Sequence, residues 1–142
     1  MIHALFLSIA LAGTSVNVAA ERRMFADVNA TRARAGLPGL VEDSRLDKIA
    51  VEHAMDMAQN GYFGHASRSG QTPFDRMANA RITYTSAGEN VAEAPDEPTA
   101  YQGLLDSPPH LQNILRRQFS RVGIGAVDGP GGEMFFVQDF TN

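Results

Sequence analysis

His65, Glu89 and His110 each occupy an unusual local setting. His65 follows an aromatic pair in Tyr62-Phe63-Gly64-His65. Glu89 lies within Gly88-Glu89-Asn90-Val91-Ala92, an acid between a glycine and an apolar pair. His110 follows Pro108-Pro109 at a helix start, where the protonated imidazole is disfavoured and the ring stays neutral for metal binding or proton acceptance. Two imidazoles and a carboxylate could hold zinc or another divalent ion, or anchor a polar ligand directly. Zinc prefers four ligands, and catalytic sites normally draw three from the protein. His65 and His110 supply two. Glu89 is either a third or the partner that orients an imidazole. With an ion held by the histidines, Glu89 taking a proton from bound water would describe a hydrolase of peptide or cell-wall material. A polar cluster that only braces loops would use the same residues.

Other residues invite weaker readings. His53 lies on the apolar face of a helix, which fits a hydrogen-bonded core histidine better than a ligand. Ser107 and His110 are three apart, but two prolines intervene and no Gly-x-Ser-x-Gly elbow is present, so a serine hydrolase is not indicated. Asn90 fixes the segment beside Glu89, and Gly88 lets the backbone bend there. Asn90 and Ser107 join His65, Glu89 and His110 as expected ligand contacts. Arg22, Arg23, Arg32 and Arg34 read as a solvated helix face. Phe63, Phe74, Phe136 and Phe140 are expected in the core.

The elements that must position these groups follow from periodicity. A helix is expected over Arg22 to Ala35, ended by Gly36 and Pro38. Asn29-Ala30-Thr31 fits a glycosylation sequon but falls inside it. The second helix is the clearest: Asp43 or Ser44 caps it, Leu46, Ile49, Ala50, His53, Ala54 and Met57 share one face, and Asn60-Gly61 closes it. Thr72-Pro73 opens a short helix ending near Ala80. Another runs from Glu97 to about Asp106, and a last one from His110 to Arg116. The tail changes period: Arg121 to Val127 and Glu133 to Phe140 form a hairpin about Asp128-Gly129-Pro130-Gly131-Gly132. Ile82 to Ser86 could add a third strand. Helices first and strands last predict an α+β domain with helices packed on an antiparallel sheet.

The 142 residues fit one domain. Twelve Lys plus Arg against 16 Asp plus Glu give a formal charge of −4, without the basic stripe of a nucleic-acid binder. No cysteine is present, so disulfides, thiolate zinc sites and a Cys nucleophile are excluded. Ala4 to Ala12 is apolar apart from Ser8 and too short to span a bilayer. A small-residue site at Val18-Ala19-Ala20 follows it. Residues 1–20 are therefore expected to be a cleaved signal peptide, with residues 21–142 as the secreted or periplasmic domain. The n-region Met1-Ile2-His3 lacks the usual Lys or Arg. No later segment is apolar enough to cross a membrane.

The segments together resemble the bacterial branch of the CAP superfamily (cysteine-rich secretory proteins, antigen 5 and pathogenesis-related 1 proteins), whose domain is also called SCP. The resemblance runs through Asn29 to Leu40, Leu46 to Met57, Asn60-Gly-Tyr-Phe-Gly-His65, Thr72-Pro-Phe-Asp-Arg76, Gly88-Glu-Asn-Val-Ala92 and Ser107-Pro-Pro-His110. Asn113-Ile-Leu115, Val122-Gly-Ile-Gly125 and Phe136-Val-Gln-Asp-Phe140 complete it. It implies an α-β-α sandwich with a cleft holding two histidines and two acids. His65 resembles the first histidine, Glu89 the first acid and His110 the second histidine. Ser107 stands where the second acid is expected, with Asp106 beside it, and Leu104 replaces the usual Trp. The resemblance favours a secreted module that binds an extracellular or envelope ligand. The metal-assisted hydrolase and a lipid or sterol binder are the alternatives.

Overall fold

The computed structural model describes residues 13–142. The apolar stretch expected to lead a signal peptide lies outside them. A two-residue strand β1 (Ser15–Val16) leads into helix α1 (Val18–Arg34). A second short strand, β2 (Val41–Glu42), precedes α2 (Ser44–Asn60) and α3 (Pro73–Asn79). Strand β3 (Ala87–Ala94), helices α4 (Glu97–Asp106) and α5 (Pro108–Ile114), and the hairpin strands β4 (Arg121–Asp128) and β5 (Met134–Thr141) complete the chain. The sheet runs β1-β4-β5-β3. Every pairing is antiparallel except that of β2, which lies parallel to β4.

Local chemistry accounts for most boundaries. The Asp43 carboxylate accepts from the amides of Arg45 and Leu46 at the start of α2, and Gly61 closes that helix in the left-handed conformation. Thr72 and Asp75 form a reciprocal capping box on α3. Helix α1 starts four residues before the expected Arg22, because Asn17 supplies the cap: its side chain accepts from the Ala20 amide at 3.0 Å. The Asn17 backbone also donates to Ala126 at 2.8 Å. Ser15–Val16 pair with β4 and Ala20 is buried in α1, so the expected boundary after Ala20 falls inside that helix. Pro108 and Pro109 form the first turn of α5, which therefore starts two residues before the expected His110, since proline suits that turn.

The third strand is not Ile82–Ser86. It lies one segment later and carries Glu89 and Asn90, so both are strand residues and Gly88 is not a bend.

Two helical layers cover the sheet. Alpha2 lies on one face, where Ala50, Ala54 and Met57 meet Val91, Val127, Phe135 and Val137. Its approach is close enough to require glycine: a Cβ on Gly123 would sit 2.1 Å from the Leu46 carbonyl carbon, and one on Gly125 2.5 Å from that of Ala50. Helices α1, α4 and α5 cover the other face through Met24, Val28, Leu104, Ile114, Phe136 and Phe140. This is the α-β-α sandwich.

Two expectations for the core are corrected. Phe63 and Phe74 are 50% and 49% exposed. Phe63 lies in the connection after α2, and α3 buries Pro73, Arg76 and Met77 instead of Phe74. Arg32 is 1% exposed rather than solvated. Its guanidinium donates to the carbonyls of Pro38, Ile114, Arg116 and Phe119, neutralising acceptors left unpaired where α5 ends.

Candidate functional site

Strand β3 is an edge strand, and its side-chain alternation distributes the site over both faces of the sheet. Asn142 donates its backbone N–H to Ser86 at 3.2 Å, continuing the β3–β5 register. Even-numbered residues of β3 therefore exchange backbone bonds with β5, and odd-numbered residues turn theirs outward. In agreement, the outward carbonyl of Glu89 accepts from the Asn113 side chain at 3.3 Å. Glu89 points toward the α2 layer. Asn90 points toward α5, where its amide donates to the His110 carbonyl at 3.0 Å and to Gln138 Oε1 at 2.9 Å.

Glu89 is the hub. His65 Nδ1 lies 2.9 Å from Glu89 Oε1, and an Arg76 guanidinium nitrogen donates to Oε2 at 2.8 Å. Both carboxylate oxygens are thereby engaged. The Glu89 side chain is 2% exposed and that of Arg76 7%, whereas the His65 side chain is 53% exposed. Burial opposes ionisation of Glu89. The bond from His65, the neighbouring Asp139 carboxyl and the Arg76 charge outweigh it and hold its pKa below the ordinary carboxylate value. The Glu89 bond in turn raises the His65 pKa, against partial desolvation.

His110 reaches the site from α5, on the other side of the β3 edge. Partial burial and the charge of His65 both lower its pKa, so the two imidazoles sense each other and His110 favours the neutral form. The structure therefore brings His65, Glu89 and His110 together around one strand edge. Asn90 and Asn113 brace that edge through a 2.8 Å bond between their side chains. Ser107 caps the α4–α5 junction; its side chain makes no capping bond, and among the described residues none to His110.

His53 is buried and hydrogen-bonded, its Nε2 lying 2.7 Å from the Gly64 carbonyl. Burial and the Arg76 charge lower its pKa, so it braces the His65 segment as a neutral ring.

Two site residues are not apparent from the reading of the chain. Arg76 looks like an ordinary helix charge, yet it also donates to the His65 carbonyl at 2.9 Å and the Gln71 carbonyl at 3.2 Å. Asp139 lies directly opposite Glu89 and is fully buried. Its place in an apolar strand, two residues from Val137 on the same face, is the available sequence signal.

The donor set can be weighed for a metal. Among the described residues no group of three or more His, Asp or Glu is arranged to hold an ion. Glu89 has no free oxygen. Glu89 stands behind His65, bonded to its Nδ1, and fixes that ring's tautomer.

A sandwich of helices about an antiparallel sheet, with two histidines and a buried glutamate at a strand edge, is a CAP architecture. The chain belongs to the CAP family, the cysteine-rich secretory protein family, whose pattern matches residues 25–140. It is 35% identical over 109 residues to the uncharacterized protein YkwD of Bacillus subtilis, covering 76% of this chain and 42% of that protein. It is 30% identical over 126 residues to the uncharacterized membrane protein YlbC of the same organism, covering 88% and 35%. The chain thus spans less than half the length of these relatives. A crystal structure of an extracellular protein containing a SCP domain from Bacillus anthracis matches with a TM-score of 0.81 at 33% identity, covering 88% of this chain and 41% of that one. An outer surface protein of Borrelia burgdorferi shares the fold at a TM-score of 0.81 and 20% identity, covering 87% and 92%. No helix among the described residues is long and apolar enough to cross a membrane.

Proposed function

We propose that this chain is an exported CAP-domain module, acting outside the cell or in the envelope, whose cleft binds a polar ligand through His65 and His110. The observation that carries this reading is the asymmetry of the site. Glu89 is buried with both oxygens bonded, while His65 offers its second ring nitrogen on a half-exposed side chain. Such a carboxylate positions an imidazole; it is poorly placed to accept a proton from water, because doing so would break the bond to Arg76. Asn90, expected as a contact, is buried with its amide nitrogen and oxygen both bonded and braces the His110 backbone instead; Ser107 is kept as a further contact. The resemblance to extracellular and outer-surface proteins supports the expected location.

A second reading has its own support. His110 is held toward its neutral form, and Glu89 fixes the His65 ring from behind. That is the arrangement of a carboxylate-oriented histidine at a zinc site. His65 and His110 would hold a divalent ion, with water completing its shell. Calorimetric titration of the full chain with zinc, beside His65→Ala and His110→Ala, tests it. One-to-one binding abolished by both substitutions supports the metal site. No heat of binding removes that reading and leaves direct ligand recognition. The latter is then tested by capture from envelope extracts, with the double variant as control and direct titration of whatever the wild type retains. A ligand bound equally by the double variant would overturn the assignment of the cleft.

A further inference from the structure

Asp139 is 0% exposed, and no N–H or O–H of the described residues reaches either of its carboxyl oxygens. Its register partners are Glu89 on β3 and Gly123 on β4. Gly123 offers no side chain, and α2 lies so close above it that a Cβ would overlap Leu46. The groups around the pair are Glu89 itself, Arg76 from α3, His53 from α2 and His65 from the connection after α2. His53 is bonded to Gly64, and the bonds of Arg76 go to Glu89, His65 and Gln71. Glu89 and Asp139 form a non-hydrogen-bonded strand pair, the geometry that brings facing side chains closest. Their facing carboxyls stand on Cβ atoms about 4.5–5.5 Å apart, as in any directly opposed strand pair. Two carboxylates in such contact cannot both remain ionised where one of them is sealed from water and has no donor. Glu89 has two donors and an adjacent cation, so it keeps the charge and Asp139 keeps the proton.

We propose that Asp139 is the second acid of this cleft, a proton-bearing carboxyl that donates to Glu89 from beneath and positions it between His65 and Arg76. Ser107 stands where the resemblance places a second acid; β5 supplies a carboxyl from the floor, opposite Glu89. Asp139 touches no ligand and acts through Glu89. Its functional weight rests on the reading of His65, Glu89 and His110 as the working cleft, but its protonation can be tested with no ligand or metal present.

The experiment is carbon-13 and nitrogen-15 NMR of the full chain from pH 5 to 8, reading the Asp139 carboxyl and the His65 imidazole. The Asp139 carboxyl is expected to stay at the position of a protonated acid throughout. Asp139→Asn keeps a neutral donor, so the His65 titration midpoint should move by less than about 0.3 pH unit. Asp139→Leu removes the donor and makes Glu89 a stronger acceptor, so the His65 midpoint should rise by about 0.5 pH unit or more. An ionised Asp139 signal at pH 6 would overturn the proposal. So would a fall of about one pH unit in the His65 midpoint of Asp139→Asn, the effect of deleting a buried negative charge. An unchanged midpoint in Asp139→Leu would remove the positioning role. If the variants do not fold, the wild-type carboxyl signal decides alone. Failure of ligand or zinc binding would overturn the proposed function without touching this result.

Discussion

One nitrogen of the Arg76 guanidinium donates both to Glu89 Oε2, at 2.8 Å, and to the His65 carbonyl, at 2.9 Å. The same side chain therefore neutralises the buried carboxylate and pins the loop whose imidazole that carboxylate orients. Removing one member of a buried ion pair leaves the other charge uncompensated, which is costlier than removing both. Arg76→Met should lower stability by about 3–5 kcal/mol in urea denaturation. Adding Glu89→Gln to that variant should recover part of the loss. A double variant no more stable than Arg76→Met would show that the guanidinium acts through packing rather than charge.

The sequence periodicities locate α2, α3, α4 and the terminal hairpin because each is marked by local chemistry: a cap, a proline at the first turn, a closing glycine or a turn-rich junction. The histidines and Glu89 are legible through their settings. What is not legible is contact. Arg32 and Arg76 carry the same charge as Arg22, Arg23 and Arg34, which remain exposed. Only the tertiary fold brings bare carbonyls to Arg32 and a carboxylate to Arg76. Phe63 and Phe74 show the converse: hydrophobicity alone places them inside, yet the sheet faces they would need are already filled. The register that sets Asp139 against Glu89 depends on pairing between segments about fifty residues apart, beyond any local pattern.

Two acids away from the cleft join Asp139 in making stability fall as pH rises. Burial and the neighbouring carboxylates of Glu42 and Glu21 push the Asp47 pKa up to about 7. Burial and the neighbouring Asp27 carboxylate do the same for Glu97. A carboxyl whose pKa is raised on folding binds its proton more tightly in the folded state. Its contribution is full below the unfolded value near 4 and is lost as pH rises through about 7. The lowered pKa of Glu89 acts oppositely, its contribution being lost only as pH falls below the ordinary value of 4.5. The melting temperature should accordingly be higher at pH 5.5 than at pH 8, by about 5 °C or more. Asp47→Asn with Glu97→Gln should reduce the difference measured by calorimetry and leave the part that Asp139 contributes. A melting temperature that rises toward pH 8 would contradict this account.

The first described residues should matter to stability. Asn17 caps α1, bonds Ala126 through its backbone and reaches Asp128 through its amide at 3.3 Å. Asn17→Ala should cost about 1 kcal/mol from the cap alone. A chain beginning at Glu21 loses the cap, the β1 pairing and buried Ala20 together, so it should melt below a chain beginning at Gly13. Equal melting temperatures would show that this segment adds nothing. Mass spectrometry of the protein isolated from its source would show which form the cell produces.

The two cleft histidines should titrate on opposite sides of 6.5, the ordinary imidazole value. The Glu89 bond raises His65; burial and then the His65 charge lower His110. Between the two midpoints the cleft holds one imidazolium and one neutral ring. The stability contributed by the His65–Glu89 bridge is full below 6.5 and disappears as pH rises through the higher folded value. Because His65 is half exposed, that contribution should be below about 1 kcal/mol. The larger consequence is for binding. A cation competes with the His65 proton, so zinc affinity should increase as pH rises through the His65 midpoint and level off above it. An anionic ligand should show the reverse, binding best where His65 is charged. Glu89→Gln removes the partner that raises His65 and should shift both dependences to lower pH. Imidazole signals of the two rings, followed from pH 5 to 8 in wild type and Glu89→Gln, measure this directly. Coincident midpoints in the wild type would mean that Glu89 does not tune His65.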